Sequence, residues 1–446
     1  MTINRNGILS ADLDIPVVLP TLNLDFANSQ SLDERITFTR GSIGTFVNKN
    51  GLIETAAANI PRFDYDPITG ECKGLLIEES RQNIVLNSTT LSSHTNSATS
   101  DNVTTETTSP DGTFNAYKVI GNSGVRTRQS IYSNSFTMNA NSSYTASVFL
   151  KGTGTRRYVV MWFDNTAPGN APTEGPYYGS SVFIDLLTGT SSNPSIVKMI
   201  PYGNGWYRCY VTATVGASNL TNVLFNVSIG SPNGFSDTGN PSIYKYVGDG
   251  ISGIYYWGPQ VEVGAFPTSY IPTTTSSVTR SAEIAEMTGT NFSSWYNQTE
   301  GTFFFDGTLP FITNDTTARV PYGVSNGFNF SNSIYVSKGT TSLGLSFSVI
   351  NNNVSQSTGS TSLPPMTSSK IKIASSVADK NIYSCGYGGT VNKHSRPSAA
   401  IPTVNRLTLG KEPWNLSTLN PMIGTIRKFA YYPKALSPSQ LQYLTQ

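Results

Sequence analysis

Hydrophobic and polar positions alternate along most of this chain and rarely recur at helical spacing. The alternation is clear in Tyr144-Thr145-Ala146-Ser147-Val148-Phe149-Leu150 and in Tyr207-Arg208-Cys209-Tyr210-Val211-Thr212. On a pleated strand this places one set of side chains in a core and the other outside it. Between residues 112 and 270 such runs return at regular spacing, among them AYKVIG, RQSIYS, YTASVFLKG, RYVVMWF, VLFNVSIG and GIYYWGPQVEV. Many short strands without a long helix predict a β-sandwich of the jelly-roll kind.

The pattern before that region is more compact. ITFTR and GTFVN are short β-branched and aromatic runs, and Asn48-Lys49-Asn50-Gly51 separates GTFVN from GLIET. Asn-Gly between apolar runs is a strong hairpin signal, because both residues tolerate positive φ. Asp66-Pro67-Ile68-Thr69-Gly70 predicts a second turn, and GLLIEES then predicts a short buried strand with Glu78, Glu79 and Arg81 at its exit. Residues 36–87 thus read as a small β module. Residues 1–35 read as an extended arm with one edge strand in IPVVLPTLNLDF, since Pro16 and Pro20 bar a central one. A strand completing the following module is the alternative.

The Ser/Thr/Asn tract from Ser88 to Pro110 has linker composition, yet strand-like runs on both sides place it inside the central unit, residues 88–283. Residues 288–446 form a third unit. It opens on the strand EGTFFFDGTL and closes on MIGTIRKFAYYPKALSPSQLQYLTQ. There Thr425 to Tyr432 predicts a strand. Ser437 predicts the cap of a short helix with Pro438 in its first turn, pinned by Leu441 and Leu444. The whole reads as all-β.

Composition narrows the function classes. The 446 residues are 37% hydrophobic and 11% aromatic, sufficient for cores, but only 13% are charged. Globular proteins average about 25%, so Ser, Thr, Asn and Gly must supply the polar surface. A net charge of +2 provides no basic field for nucleic acid. Cys72, Cys209 and Cys385 are odd in number and widely spaced, which predicts single thiols rather than a disulfide framework. No run of about 20 apolar residues predicts a membrane span, and the opening MTINRNGILSADLDIPVVLP lacks the pattern of a secretory leader.

Catalytic chemistry is hard to place. His94 and His394, the two histidines, both lie in loop-like settings and read as solvated. Neither has the context of a base oriented by a third group. Glu78 and Glu79 are adjacent, so on a strand they point to opposite faces, and the third unit lacks the Glu-X-Asp-X-Glu pattern of a sandwich glucanase. Asp64 and Asp66 read as turn formers; a calcium loop there would lack the expected residues at Ile68 and Thr69. Gly248-Asp249-Gly250-Ile251-Ser252-Gly253 fits a dinucleotide fingerprint by letter, but a strand follows it, so it reads as a loop. No enzyme activity, metal or cofactor is expected.

Sugar binding needs aromatic faces flanked by amides and carboxylates. Trp162, Tyr177, Tyr178, Trp206 and Trp257 are the jelly-roll candidates. Trp206 and Trp257 fit core positions, whereas Tyr177 and Tyr178 lie in the Pro/Gly-rich stretch NTAPGNAPTEGPYYGSS, where loops on rigid sandwiches commonly bind. Tyr177, Tyr178 and Trp162 are therefore the candidate carbohydrate-binding residues.

Several segments resemble known families. FTRGSIGTFVNKNGLIETAAANIPRFDYDPITGECKGLLIEESRQNIVLNS is similar to the module of bacteriophage structural proteins called a head spike or head fiber domain. YTASVFLKG, GWYRCYVT and WGPQVEVGAFPTSYIPT resemble carbohydrate-binding modules, and the last thirty residues resemble laminin-G or concanavalin-A-like lectin domains. These resemblances imply a non-enzymatic virion-surface appendage (head fiber, tail fiber or spike) that contacts other virion proteins, binds host glycans and assembles as a homo-oligomer, with a trimer favoured. A capsid decoration or cement protein is the alternative, and a polysaccharide-degrading tailspike is a third. Val278-Thr279-Arg280-Ser281 echoes Phe38-Thr39-Arg40, which allows either a pairing of the two ends across the jelly roll or chance.

Overall fold

The alternating segments become strands in the computed structural model, which describes residues 2–3, 9–10, 18–90, 94–97, 104–124, 126–128, 130–153, 157–165, 183–230, 245–310, 318–339, 344–356, 369–379, 381–395, 401–413 and 421–446. Among these, helix is confined to Phe26–Ser29, Thr290–Ser293 and Pro438–Thr445. The protein is all-β, built of two β-sandwiches.

The jelly roll pairs two antiparallel sheets. One contains Ser143–Thr153 flanked by Tyr207–Thr214 and Gly253–Val263, with Ala116–Ile120, Thr104–Thr107 and Val197–Pro201 outside them. The other is centred on Leu220–Ile229, between Tyr158–Asn165 and Ser130–Tyr132. Tyr144, Ala146, Val148 and Leu150 alternate into the space between the sheets and meet Val159, Met161 and Phe163 there. The polar tract after Ser88 contributes Thr95–Ser97 to one sheet and Thr104–Thr107 to the other, as its flanks predict.

The second sandwich is not confined to the C-terminal segment. Its eight-stranded sheet runs Asn392–Ser395, Asn381–Gly386, Lys370–Val377, Gly301–Thr308, Gly424–Tyr432, Cys72–Ile77 and Phe63–Tyr65, and Leu22–Asp25 also pairs with Gly424–Tyr432. Its seven-stranded sheet ends with Ile284–Thr288 paired to Thr37–Thr39. Leu22, Leu24, Phe26, Leu75 and Ile77 share one core with Phe303, Phe305, Phe429 and Tyr431. Residues 36–87 and 288–446, read from sequence as two units, thus build one sandwich. The expected edge strand, Leu22–Asp25, pairs on one side only among the described residues, with Gly424–Tyr432, while its Leu22 and Leu24 enter the shared core. Burying each such side chain contributes about 1.5–3 kcal/mol, so neither segment has a complete core alone.

The jelly roll is inserted between these halves. Arg81–Asn83, where the chain departs, pairs antiparallel with Val278–Arg280, where it returns, Asn83 lying opposite Val278. The two ends do meet, although the direct partner of Val278–Arg280 is Arg81–Asn83 and the partner of Thr37–Thr39 is Ile284–Glu286. The hairpin Gly44–Val47 with Ile53–Ala56 forms as expected, and Gly51 takes φ +76° to close its turn. This hairpin lies across the outer face of the six-stranded sheet, where Ile53 and Tyr270 cover Phe149, Trp206 and Trp257. One broad face of the jelly roll is therefore a buried seam.

Candidate functional site

The charged residues that stand out in the sequence converge at that seam. Arg62 donates from Nη2 to Glu78 Oε2 (2.8 Å) and to Glu283 Oε1 (2.5 Å). Arg280 Nη1 donates to the same Glu78 oxygen (2.7 Å), and Arg40 Nη1 reaches Glu283 Oε1 at 3.2 Å. Ser269 closes the cluster, donating N–H and O–H to Glu78 at 2.7 and 2.6 Å. The Arg40, Arg62 and Glu283 side chains are fully buried. Burial opposes ionisation of Glu78, but the charges of Arg280 and Arg62 and the Ser269 hydrogen bonds prevail and hold its carboxyl at about 2. Glu79 points elsewhere, as adjacent strand positions must, and pairs with Arg319 (2.6 Å) and Arg81. The cluster joins both sandwiches, and its carboxylates are spent on arginines. It is structural.

The sequence-derived binding residues fare differently. Tyr177 and Tyr178 lie outside the described residues. Trp162 is 1% exposed beside Val160, Tyr158 and Phe183, so it is not an open stacking face; alternation carries it off the jelly-roll core, and that is what made it a candidate. Trp206 and Trp257 are buried, as expected. His94 is not the solvated residue expected: it meets Tyr256 edge-on at 6.1 Å, and burial pushes its pKa down to about 4. His394 falls in strand Asn392–Ser395. Asp66 forms the anticipated Asx turn with Ile68 and Thr69. Asp64 does not form a turn; it accepts from Val47 N–H (2.8 Å) and pairs with Lys73. The Gly248 stretch is a loop capped by Asp249, and no group of metal-ligating residues occurs among the described residues.

An open groove of 640 Å³ crosses the outer face of the eight-stranded sheet. Its position follows from alternation: Phe303 and Phe305 turn into the core, so Asp306 and Thr308 cannot all follow them, and Asp306 faces out opposite Lys372 and Lys428. A register shift beside Asp306 adds Arg427 to the same rim. Farther along that face, Phe304, Ala374 and Ala430 are capped by Leu441 of the helix Pro438–Thr445. The helix therefore bounds the groove at one end. It starts as predicted, with a reciprocal Ser437–Gln440 capping box.

Tyr387 forms the groove's aromatic wall. It lies in Gly386-Tyr387-Gly388 at φ +53°, a conformation that bulky residues rarely adopt, is 39% exposed, and donates its hydroxyl to the Lys370 carbonyl. Asp306 accepts no hydrogen bond among the described residues. Burial raises its carboxyl above the usual aspartate value against the pull of Lys372, Arg427 and Lys370. The other groove carboxylates are engaged, Glu71 with Arg427 (2.9 Å) and Asp66 in its turn. The groove thus combines one aromatic face, one free acceptor and several cationic donors. Two sequence signals mark it: a tyrosine between glycines, and an aspartate on the outward phase of the Phe303–Phe305 strand.

No family model and no curated protein matches the chain. Among solved structures, it is similar to the CBM40 of the Ruminococcus gnavus IT-sialidase bound to α2,3-sialyllactose, at 14% identity over 35% of this chain and 88% of that one, with a TM-score of 0.29. It is also similar to a Trypanosoma rangeli sialidase in complex with the inhibitor DANA (12%, 42% and 30%, TM-score 0.26). Domains LG4–5 of the mouse laminin α1 chain give 11% identity over 69% of this chain and 88% of that one, TM-score 0.23. Scores this low assign no residue or activity to this chain.

Proposed function

We propose that this protein is a non-catalytic, glycan-binding subunit of a bacteriophage surface appendage, and that saccharide is held in the groove at Tyr387 and Asp306. The observation that carries the reading is the groove itself. A partly exposed ring offers a face for stacking, while an unengaged carboxylate and neighbouring Lys370, Lys372 and Arg427 offer acceptors and donors to hydroxyls. Its 640 Å³ lies within the usual range for ligand sites. Hydrolysis would require a second carboxylate poised across the bond, and Glu71 and Asp66 are already committed. The appendage assignment rests on the Phe38-Thr39-Arg40, Pro61-Arg62-Phe63-Asp64 and Glu78-Glu79 motifs, whose charged members build the buried junction.

Glycan-array binding of the full chain tests the reading. Tyr387→Ala should weaken saccharide binding by about fivefold or more, as expected for a lost stacking face, with stability lowered by about 1 kcal/mol for the lost hydroxyl hydrogen bond. Asp306→Asn should weaken it without unfolding. If both variants bind like the wild type while the Tyr177→Ala, Tyr178→Ala double variant does not, the saccharide sits on the jelly-roll loop instead. A chain that binds no glycan on the array would remove the proposal altogether.

A further inference from the structure

A second cavity, of 230 Å³, lies at the seam between the hairpin, the outer face of the six-stranded sheet and the C-terminal sandwich. Its wall includes Arg208, which is 6% exposed. This guanidinium lies 5.5 Å from the centroid of the Phe149 ring. Among the described residues it makes one hydrogen bond, from Nη2 to Ser147 Oγ at 3.0 Å, and Nε makes none. Arginine carries five N–H donors and stays charged, so most of this buried cation's donors are unused.

The acids that line the cavity are spent. Glu78 and Asp64 line the same cavity, but Glu78 is held by Arg62, Arg280 and Ser269, and Asp64 by Val47 N–H and Lys73. A buried charge without a partner is costly, and proteins pair such charges. The seam differs from the neighbouring ion cluster in this respect, since there each carboxylate is shared between arginines.

We propose that the seam cavity binds a small oxyanion through Arg208. The guanidinium fork matches two oxygens of a phosphate, sulfate or carboxylate at once. Tyr202, on the same wall, adds a hydroxyl. Bound there, the anion would tie the jelly roll to the hairpin and the second sandwich. The cavity adjoins the saccharide groove, Lys73 lining both, but of the two only the cavity is lined by Arg208 and Tyr202, and only the groove by Tyr387 and Asp306.

Thermal unfolding of the full chain tests this at matched ionic strength in sodium chloride, phosphate, sulfate and acetate. Wild type should gain about 2–4 °C over chloride in at least one oxyanion, rising with the logarithm of concentration. Response to phosphate and sulfate alone would identify a tetrahedral ligand, and response to acetate a carboxylate. Excluded salts stabilise any fold, so the reading is the difference from Arg208→Met. That variant should show no oxyanion-specific gain and, in chloride, should melt no lower than wild type. Arg208→Lys, which keeps the charge without the fork, is the second variant and should lose most of the gain. Phosphorus-31 line broadening on adding wild type, absent with the variant, reports binding directly. Equal gains in wild type and variant, or an Arg208→Met melting point well below wild type in chloride, would overturn the proposal.

Discussion

Arg62 uses both of its terminal nitrogens. Its two Nη atoms serve Thr45 O, Ser269 Oγ, Glu78 and Glu283. Removing Glu283 strips the buried Arg40 of its carboxylate, whereas removing Arg62 leaves Glu78 with Arg280 and Glu283 with Arg40. Glu283→Ala should cost about 3–5 kcal/mol and Arg62→Met less, measurable by urea unfolding, whereas a joint apolar replacement should cost less than the sum. Glu78 gives this cluster a pH dependence. Its folded value, about 2, lies below the ordinary 4.5, so its contribution is complete above pH 4.5 and is lost as pH falls toward 2. The loss should approach about 3 kcal/mol, and Glu78→Gln should flatten unfolding midpoints across that window. The charged residues were visible in the sequence because so few others exist, yet adjacency and spacing could not reveal that Arg40, Arg62 and Arg280 share two carboxylates. Asp306 and Tyr387 were passed over for a related reason: an isolated charge and an isolated ring mean little until strands from distant positions set them side by side.

Local elements were legible where local chemistry decides them. The hairpin around Gly51, the Asx turn at Asp66, the strand Gly424–Tyr432 and the helix capped by Ser437 all follow from residues within a few positions of one another. Ser437→Ala should lower stability by about 1 kcal/mol, seen as an earlier urea midpoint. Pairing partners were not legible. Leu22 and Leu24 alternate visibly, but nothing nearby states that their partner is Tyr431 and Phe429; the prolines before them favoured an edge strand. This pairing yields a sharp expectation. A fragment of residues 288–446 lacks Leu22, Leu24, Phe26, Leu75 and Ile77 from its core and should not give dispersed amide spectra alone. Adding residues 18–87 as a separate chain should restore them once the fragment is extended back to Glu283, so that the strand Ile284–Thr288 is present to pair with Thr37–Thr39. A well-dispersed spectrum from the fragment by itself would refute the shared core.

At the scale of the molecule, the same arrangement turns three apparent units into two bodies joined by a seam. We propose that they assemble as a trimer in the appendage, so light scattering should give three times the 48.1 kDa chain mass; a single-chain mass independent of concentration would oppose it. The adjacency of Asn83 and Val278 has a mechanical consequence. A tether at Leu22–Asp25, the first strand of the second sandwich, passes load straight into Gly424–Tyr432 and on through the sheet that carries the groove. The inserted jelly roll, entered and left at one point, lies off that line. Tension between anchor and bound saccharide would stretch the second sandwich alone, leaving the inserted body slack.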